Sequence, residues 1–355
     1  MTARWTAERA NAWGQKQPWR VGCNFIPSTA INQLAMWQEA TFDASTIQRE
    51  LGWAAGLGFN LCRVYLHDLL WDQDPDGFTR RIDTFLEAAQ SNGIGTMFVL
   101  FDDVWFPEPR LGPQPEPHPG RHNSGWLQSP GLPALRAYPE APELRARLER
   151  YVRGVVSRFA DDPRVVVWDV YNEPGGFPSP LADPVGEACL PLLADVFDWA
   201  RASDPSQPLT SGLWSVPNAP MPPEIEALQL ENSDVVSFHH YGPADALEAH
   251  CAHIESLTDR PLFCTEYLAR QLESRFETHL PIFQAHGIGA INWGLVSGKT
   301  QTIHPWWTWF DEEPKPEPEV WFHDILRPDG TPFDAEEVAF LRGFLGVPGT
   351  EGSGP

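Results

Sequence analysis

The order of apolar runs along the chain is the feature that most restricts its fold. Eight short runs, each apolar and typical of a strand, are separated by segments with helical periodicity or by irregular loops. The strand-like runs lie at residues 20–26, 60–66, 95–101, 165–171, 208–214, 234–239, 261–265 and 289–295. The helix-like segments lie at residues 45–57, 78–91, 143–160, 187–203, 223–230, 244–257 and 271–286.

Alternation of strands and helices favours a parallel sheet, and eight repeats favour a closed barrel over an open sheet. We therefore predict an α/β fold, a single (β/α)8 TIM barrel over residues 1–345, with long loops after strands 3 and 8 and a disordered tail at 346–355. No Gly-x-Gly-x-x-Gly follows the first run and no P-loop motif occurs, so neither dinucleotide nor nucleoside triphosphate binding is supported. We predict no cofactor and no metal.

Charge and cysteine usage limit the class of protein further. The 355 residues include 25 Lys and Arg against 48 Asp and Glu, a formal charge of −23. This balance argues against nucleic acid and anionic membranes as partners. No signal-peptide pattern and no run of the ~20 apolar residues needed for a membrane span is visible, which predicts a cytoplasmic protein. The five cysteines are odd in number and scattered, as expected of reduced thiols in a core. The oligomeric state is left open.

Two glutamates follow apolar runs. Glu173 lies in Asn-Glu-Pro directly after run 165–171, and Glu266 closes run 261–265. In parallel barrels, catalytic residues gather at the carboxyl ends of the strands. Strands 4 and 7 lie on roughly opposite sides of such a barrel, so the two side chains can face each other. One protonated and one ionised carboxyl group is what glycosidic bond cleavage requires. The alternative is that both are solvated surface charges.

Several further residues strengthen this interpretation and point to a family. They are Asn172-Glu173-Pro174, Glu266, Arg63, His239-His240-Tyr241 and Trp293. With them, residues 19–345 resemble the retaining glycosidases of clan A, and most closely the cellulase-like glycoside hydrolase family 5. The resemblance implies that Glu173 is the acid/base, that Glu266 is the nucleophile and that Asn172 holds the sugar 2-hydroxyl.

The resemblance also assigns roles to four neighbours. Arg63 would lie beside Glu266 and keep it ionised, and Tyr241 would donate a hydrogen bond to it. His239 would contact sugar hydroxyls. Apart from the resemblance, strand alternation predicts that His240 points the other way if the strand continues, and is then structural. Trp293 would form a platform under the sugar. A structural ion pair for Arg63 and plain barrel packing for Trp293 are the alternatives.

The end of the third strand departs from the family pattern. Family members often carry a His there, whereas this chain has Asp102-Asp103-Val104-Trp105. Because a carboxylate accepts hydrogen bonds from two hydroxyls, Asp102 or Asp103 could hold a terminal sugar, or could instead form a salt bridge at the rim. Loops 104–142 and 297–318 would form the pocket walls. The candidates for stacking or lid residues are Trp105, Trp126, Trp306, Trp307 and Trp309, which packing within the loops would equally explain.

These observations predict a retaining β-glycosidase acting on a short β-linked oligosaccharide or glycoside, with carboxyl groups about 5 to 5.5 Å apart. Two alternatives remain open. One is a metal-dependent barrel isomerase or lyase with Asp102, Glu173 and Glu266 as Mg²⁺ ligands. The other is a sugar-binding barrel without catalysis. Transglycosylation in place of hydrolysis, the identity of the sugar and exo or endo action are not determined by these residues.

Overall fold

The computed structural model describes residues 3–176, 181, 184–214 and 221–347. Eight parallel strands form one sheet with the order β5-β4-β3-β2-β1-β8-β7-β6. A parallel bridge between Leu213 and Phe238 joins the chain after β5 to β6 and closes the ring. The predicted (β/α)8 barrel is confirmed. The strands are β1 Val21–Asn24, β2 Leu61–Tyr65, β3 Gly95–Val99, β4 Val165–Asp169, β5 Leu209–Thr210, β6 Val236–His239, β7 Leu262–Glu266 and β8 Gly289–Asn292.

Helices alternate with the strands as the sequence predicts. They are α1 Ala7–Gly14, α2 Gln33–Trp37, α3 Ala44–Gly56, α4 Asp68–Gln73, α5 Pro75–Ser91, α6 Leu132–Ala137, α7 Pro142–Arg158, α8 Leu190–Ala202, α9 Pro223–Asn232, α10 Ala244–Leu257, α11 Phe276–Ala285 and α12 Ala335–Phe344. Single 3₁₀ turns lie at Tyr138–Glu140, Gly186–Cys189, Arg270–Leu272 and Trp306–Phe310. The sequence did not predict α1, α2, α4, α6 and α12. Helices α2, α4 and α6 have only five or six residues, too few for a periodic apolar pattern. None of the described helices is long and apolar enough to span a bilayer.

Helix α5 illustrates how the sequence specifies these elements. Asp74 caps it by accepting the Gly77 N–H at 2.8 Å, and Pro75 occupies the first turn, where its missing N–H costs nothing. Phe78, Ile82 and Phe85 recur at helical spacing and are fully buried. Removing the Phe85 ring would cost about 3–5 kcal/mol. Helix α11 starts later than predicted, because Glu273 adopts a left-handed conformation (φ 64°) and separates it from the preceding 3₁₀ turn.

Residues along the strands alternate between two cores. In β2, Cys62 and Val64 belong to the large core between the strands and the surrounding helices. Leu61 joins an inner cluster that fills the barrel floor. Arg63 and Tyr65 point to the same side as Leu61 but lie nearer the carboxyl end, because side chains repeat every two residues. The barrel therefore has an apolar floor below a polar mouth. All five cysteines are buried and unpaired.

The carboxyl terminus is only partly described. Helix α12 packs against α11, and Leu345 and Val347 pack beside Gly58. The predicted tail begins at residue 346, but residues 348–355 lie outside the described part of the chain. The tail therefore stays a prediction.

Candidate active site

Glu266 is the last residue of β7 and lies among three donors. Oε1 accepts a hydrogen bond from Arg63 Nη1 at 2.9 Å and one from the Tyr65 hydroxyl at 3.0 Å. Oε2 accepts from the Tyr241 hydroxyl at 2.6 Å. A register shift between β6 and β7 pairs His239 with Glu266 and so directs that histidine toward the same carboxylate. Glu266 is thus held in one orientation, with a positive charge against one oxygen.

Arg63 is the centre of the polar mouth and is completely buried. Its Nε and Nη2 donate to Asp169 Oδ2 at 2.9 and 2.8 Å. Nη1 donates to Asn24 Oδ1 at 2.9 Å, and Nη2 to Asn172 Oδ1 at 2.7 Å. Burial alone would lower the pKa of this guanidinium, but neighbouring Tyr65, Asp169 and Glu266 raise it above its usual value. A fixed cation therefore joins strands β1, β2, β4 and β7.

Glu173 reaches the mouth from a strained turn rather than from a regular strand. β4 ends at Asp169, and Glu173 has φ 41°, in the left-handed region. Such a conformation costs about 1–3 kcal/mol and is retained mainly at functional sites. Asp103 stabilises the turn by accepting the Gly175 N–H at 2.9 Å and the Tyr171 hydroxyl at 2.7 Å. The sequence predicted strand to residue 171, two residues beyond its observed end.

The surroundings of Glu173 differ from those of Glu266. Its Oε1 lies 2.8 Å from His239 Nδ1. Burial and then the charge of Glu266 raise the pKa of Glu173 above its ordinary value, partly opposed by His239. A carboxylate oxygen of Glu173 and one of Glu266 lie within 4.8 Å of each other. A glutamate with a raised pKa therefore faces a glutamate that is held by three hydrogen-bond donors, which are unlike surroundings for the two carboxyl groups.

Asn172 lies between Arg63 and Asp102. Its amide nitrogen donates to Asp102 Oδ1 at 3.0 Å, while its oxygen accepts from the guanidinium. Asp102 Oδ2 accepts the Trp126 indole N–H at 2.7 Å. Asp102 and Asp103 are each 1% exposed, and burial raises both pKa values, that of Asp103 to about 7. All of these donors are uncharged protein groups, and contact of either carboxyl with sugar stays a prediction.

Aromatic side chains form a wall beside the carboxylates. Trp293 packs edge-on against Tyr65 and Trp126, with ring centroids 5.8 and 5.4 Å apart. Trp126 is only 2% exposed, because its ring also meets Tyr65 at 4.9 Å. Trp105 is buried against His122. Packing thus accounts for much of the surface of Trp105 and Trp126, and their contact with substrate stays a prediction.

The loop after β8 supplies the other predicted tryptophans. The Trp306 ring packs against Tyr241 at 4.9 Å, next to the Glu266 carboxylate. Trp309 donates its indole N–H to the His122 carbonyl at 2.6 Å, which fixes it to the loop after β3. Trp307 is 41% exposed at the surface. The three side chains therefore occupy different places, and Trp306 is the one in contact with a residue that binds Glu266.

His239, the last residue of β6, and His240, which follows it, point in different directions, as strand alternation predicts. His239 lies between the two glutamates, with Nε2 at 3.5 Å from Glu266 Oε1. His240 turns away, and its Nδ1 lies 3.2 Å from His250 Nδ1. Burial lowers the pKa of each member of this pair to about 4. His240 thus lies in the packing between β6 and the helices.

Three site residues were missed by the sequence reasoning, namely Tyr65, Asp169 and Asn24. Tyr65 and Asp169 each had a signal in the sequence, and Asn24 had none. Tyr65 follows Arg63 by two residues and so shares its face of β2. Asp169 is a charge inside an otherwise apolar run, and a buried charge needs a partner. Asn24 is opposite Arg63 in the β1–β2 register, which only the assembled sheet shows.

The metal-dependent alternative requires Asp102, Glu173 and Glu266 to lie close enough together to bind one ion. In the described part of the chain, Glu173, His239 and Glu266 form the one group of three or more potential ligands whose atoms lie within 4.8 Å of one another. Asp102, which the alternative required, is not a member of that group. Glu266 already accepts three hydrogen bonds from protein donors.

Comparison with known proteins agrees with this geometry. A model of the family described as cellulase, glycosyl hydrolase family 5, matches residues 28–314. The chain belongs to glycosyl hydrolase family 5. As a member of family 5, it is a glycoside hydrolase that acts on O-glycosyl bonds. The comparison with curated protein sequences found no match.

Solved structures share the fold at low sequence identity. A GH5_18 protein variant from Streptomyces cattleya, in complex with Manb1-4GlcNAc, is 17% identical, with a TM-score of 0.61, 95% of this chain and 83% of that chain covered. The endo-1,4-beta-D-mannanase of Thermotoga petrophila RKU-1 is 13% identical, with a TM-score of 0.57 and coverages of 93% and 100%. An exo-beta-1,4-mannosidase from Opitutaceae bacterium strain TAV5 is 16% identical, with a TM-score of 0.59 and coverages of 93% and 60%. At these identities the likeness shows the barrel fold of family 5 alone.

Proposed function

We propose that the protein is a retaining β-glycosidase that uses Glu266 as nucleophile and Glu173 as acid/base. The observation that carries this proposal is the pair of unlike carboxyl groups whose oxygens approach within 4.8 Å. Retaining glycosidases place the two groups about 5–5.5 Å apart, whereas inverting ones need about 6.5–9.5 Å to admit a water between carboxyl and sugar. The raised pKa of Glu173 suits it to donate the first proton.

The reaction proceeds in two displacements. In the first, a Glu266 oxygen attacks the anomeric carbon, the glycosidic C–O bond breaks, and Glu173 gives its proton to the departing oxygen. In the second, Glu173 removes a proton from water, and the water oxygen attacks the same carbon and displaces Glu266. Each step inverts the anomeric centre, so the product retains the starting configuration. A sugar hydroxyl in place of water would give transglycosylation.

The neighbouring residues support these steps. Arg63, Tyr65 and Tyr241 fix the Glu266 carboxylate and stabilise its charge when it leaves in the second displacement. Asn172 has its amide oriented by Arg63 on one side and Asp102 on the other, which suits it to hold a sugar hydroxyl. Trp293 offers an aromatic surface to the apolar face of the sugar ring.

The substrate is proposed to be a short β-linked oligosaccharide or glycoside. The named activities of the structural neighbours place β-mannosides first among the substrates to test. The five buried free thiols suit a reducing compartment, and we propose that the enzyme acts in the cytoplasm.

The test is a screen of aryl β-glycosides followed by assay of Glu266→Ala with and without azide. Azide fits the space left by the carboxylate and attacks the anomeric carbon once, so rescue yields a glycosyl azide of inverted configuration. Turnover by Glu266→Ala at the wild-type rate would contradict the assignment. Loss of wild-type activity on addition of EDTA would favour the metal-dependent alternative. Unchanged behaviour of Glu173→Gln and Glu266→Gln would favour a sugar-binding barrel without catalysis.

A further inference from the structure

The loops that follow β3 and β8 are joined to each other at the barrel mouth. The Arg121 guanidinium donates to the Thr308 carbonyl and, at 2.9 Å, to the Asp311 carbonyl. Gln301 Nε2 donates to the His118 carbonyl at 2.7 Å and to the Ser124 hydroxyl at 2.9 Å. Because β1 and β2 lie between β3 and β8 in the sheet, the joined loops span the ends of those two strands. Three further bonds run between Gly120 N and Gln301 Oε1, His122 N and Thr308 Oγ1, and Trp309 Nε1 and His122 O.

The loop after β1 is bound to both of the others. The side-chain amide nitrogen of Gln33 donates to the Leu127 carbonyl at 2.9 Å, and the backbone N–H of Leu127 donates to the side-chain oxygen of Gln33 at 3.3 Å. The backbone N–H of Lys299 donates to the Ser28 carbonyl at 3.0 Å. The loops after β1, β3 and β8 therefore form one connected wall, called here the three-loop wall.

The proposed roles of the two glutamates define how a sugar would lie at the mouth. The leaving oxygen lies on the Glu173 side of the reacting carbon, because Glu173 protonates it. In a pyranose ring, C4 lies opposite the anomeric carbon, so a chain continuing from the 4-hydroxyl would extend away from Glu173. We infer that this end faces Tyr65 and Trp126, because their rings pack beside Trp293, the proposed platform for the sugar. The Tyr65 and Trp126 rings pack edge-on against each other, with their centroids 4.9 Å apart.

The space behind these rings is too small for a second sugar. A cavity lies between Trp293, Trp126 and the ends of β1 and β2, bounded farther out by Thr300 and Asp324 of the β8 loop. Its volume is about 20 Å³, room for roughly one water molecule. A pyranose with its hydroxyl groups has about a dozen heavy atoms, whereas the cavity has room for roughly one water oxygen. The cavity is therefore about an order of magnitude too small to hold a second sugar.

We propose that the enzyme is exo-acting and releases one sugar at a time from the non-reducing end of its substrate. In the described part of the chain, the three-loop wall ends the binding site behind the sugar that reacts, which leaves no room there for the units that would precede an internal unit of a chain. This inference rests on the proposed function, because it uses Glu173 to define the side of the leaving group.

The experiment uses a linear β-linked hexasaccharide of the sugar that the aryl glycoside screen selects, labelled at its reducing end. The wild-type enzyme is expected to yield, as first products, only the free monosaccharide and the labelled pentasaccharide. Labelled di-, tri- or tetrasaccharides at the earliest times would overturn exo action while aryl glycoside turnover upholds the proposed function. No turnover of any aryl glycoside or of the hexasaccharide would overturn both.

A double variant, Arg121→Ala with Gln301→Ala, tests whether the wall is the cause. We expect it to gain internally cut products that wild type lacks, while its activity on aryl glycosides shows that the catalytic pair is intact. Arg110→Ala is the matched control, since Arg110 lies on the same loop with an 82% exposed side chain that pairs with Glu108. A double variant that stays folded and active with the wild-type product pattern would contradict the role of the wall.

Discussion

The two glutamates at the barrel mouth are the same residue type in unlike surroundings. Glu266 ends a regular strand and receives hydrogen bonds from a guanidinium and two phenols. Glu173 lies four residues beyond its strand in a left-handed turn, with one histidine beside it and a raised pKa. The difference teaches that backbone position and neighbouring charge, rather than residue identity, distinguish the proposed nucleophile from the proposed acid.

The largest expected effect is the loss of activity on replacing each glutamate, and its dependence on the leaving group should differ between the two. Glu266→Ala should lose a factor on the order of 10⁵ or more in kcat on every substrate, because no covalent intermediate forms without the nucleophile. Glu173→Ala should lose about 10²–10⁴ on glycosides with poor leaving groups, because only these need a proton. Initial rates on aryl glycosides of graded leaving-group pKa measure both.

A result that erases this difference would overturn the assignment. If Glu173→Ala lost equal activity on the best and the poorest leaving groups in the first displacement, its role as acid would be wrong. The control is the Glu173→Ala variant with the best leaving group. It should release a rapid burst of leaving group followed by slow turnover, since loss of the base slows only the second displacement.

The next effect concerns the donors that distinguish Glu266. Tyr241→Phe and Tyr65→Phe each remove one hydrogen bond to a charged group, worth about 1.5–3 kcal/mol, so kcat/KM should fall by roughly 10 to 150-fold. Tyr267→Phe is the matched control, because the Tyr267 hydroxyl is buried near β7 without a hydrogen-bond partner among the described residues. Activity of Tyr241→Phe equal to that of the control would show that the bond to Glu266 contributes nothing to turnover.

A smaller effect should appear in the pH profile. Glu173 must be protonated to act as the acid, so kcat/KM should fall as pH rises through its raised pKa. His239 lowers that pKa through its hydrogen bond and charge. In His239→Asn the alkaline limb should therefore move to higher pH, measured as kcat/KM across the pH range. Movement to lower pH would mean that His239 does not stabilise the charged form of Glu173.

The smallest expected effect is on folding stability and concerns Asp103, which stabilises the turn that carries Glu173. Burial raises the pKa of Asp103 to about 7, against an ordinary value of 3.8. An acid with a raised pKa in the folded state contributes stability that is present below about pH 4 and is lost as pH rises toward 7. The Tm of wild type relative to Asp103→Asn should therefore decrease between pH 4 and pH 7. A constant difference would show that Asp103 does not titrate in this interval.

The sequence predicted the barrel because its strands and helices are local. Each strand needs only a short apolar run, and closure follows from eight repeats, so the positions of Glu266 and Tyr241 could be read from strand ends. The short helices α2, α4 and α6 were not predicted, because helices of one or two turns are stabilised by tertiary contacts and show no periodic apolar pattern of their own. The turn at Glu173 was not predicted either, because it is stabilised by a contact with Asp103, which lies far away in the sequence on the loop after β3.

The sequence by itself determined the barrel and the two glutamates that its strands bring to one mouth. Only the tertiary structure decided which partners each acquires. Arg63 reaches Asp169 and Glu266 across separations of 106 and 203 residues, and Arg121 reaches Thr308 across 187. Such contacts depend on strand register, ring closure and the paths of three loops, which no local pattern encodes. Burial then lets these contacts shift the pKa values of the buried groups, because charges removed from water respond strongly to their neighbours.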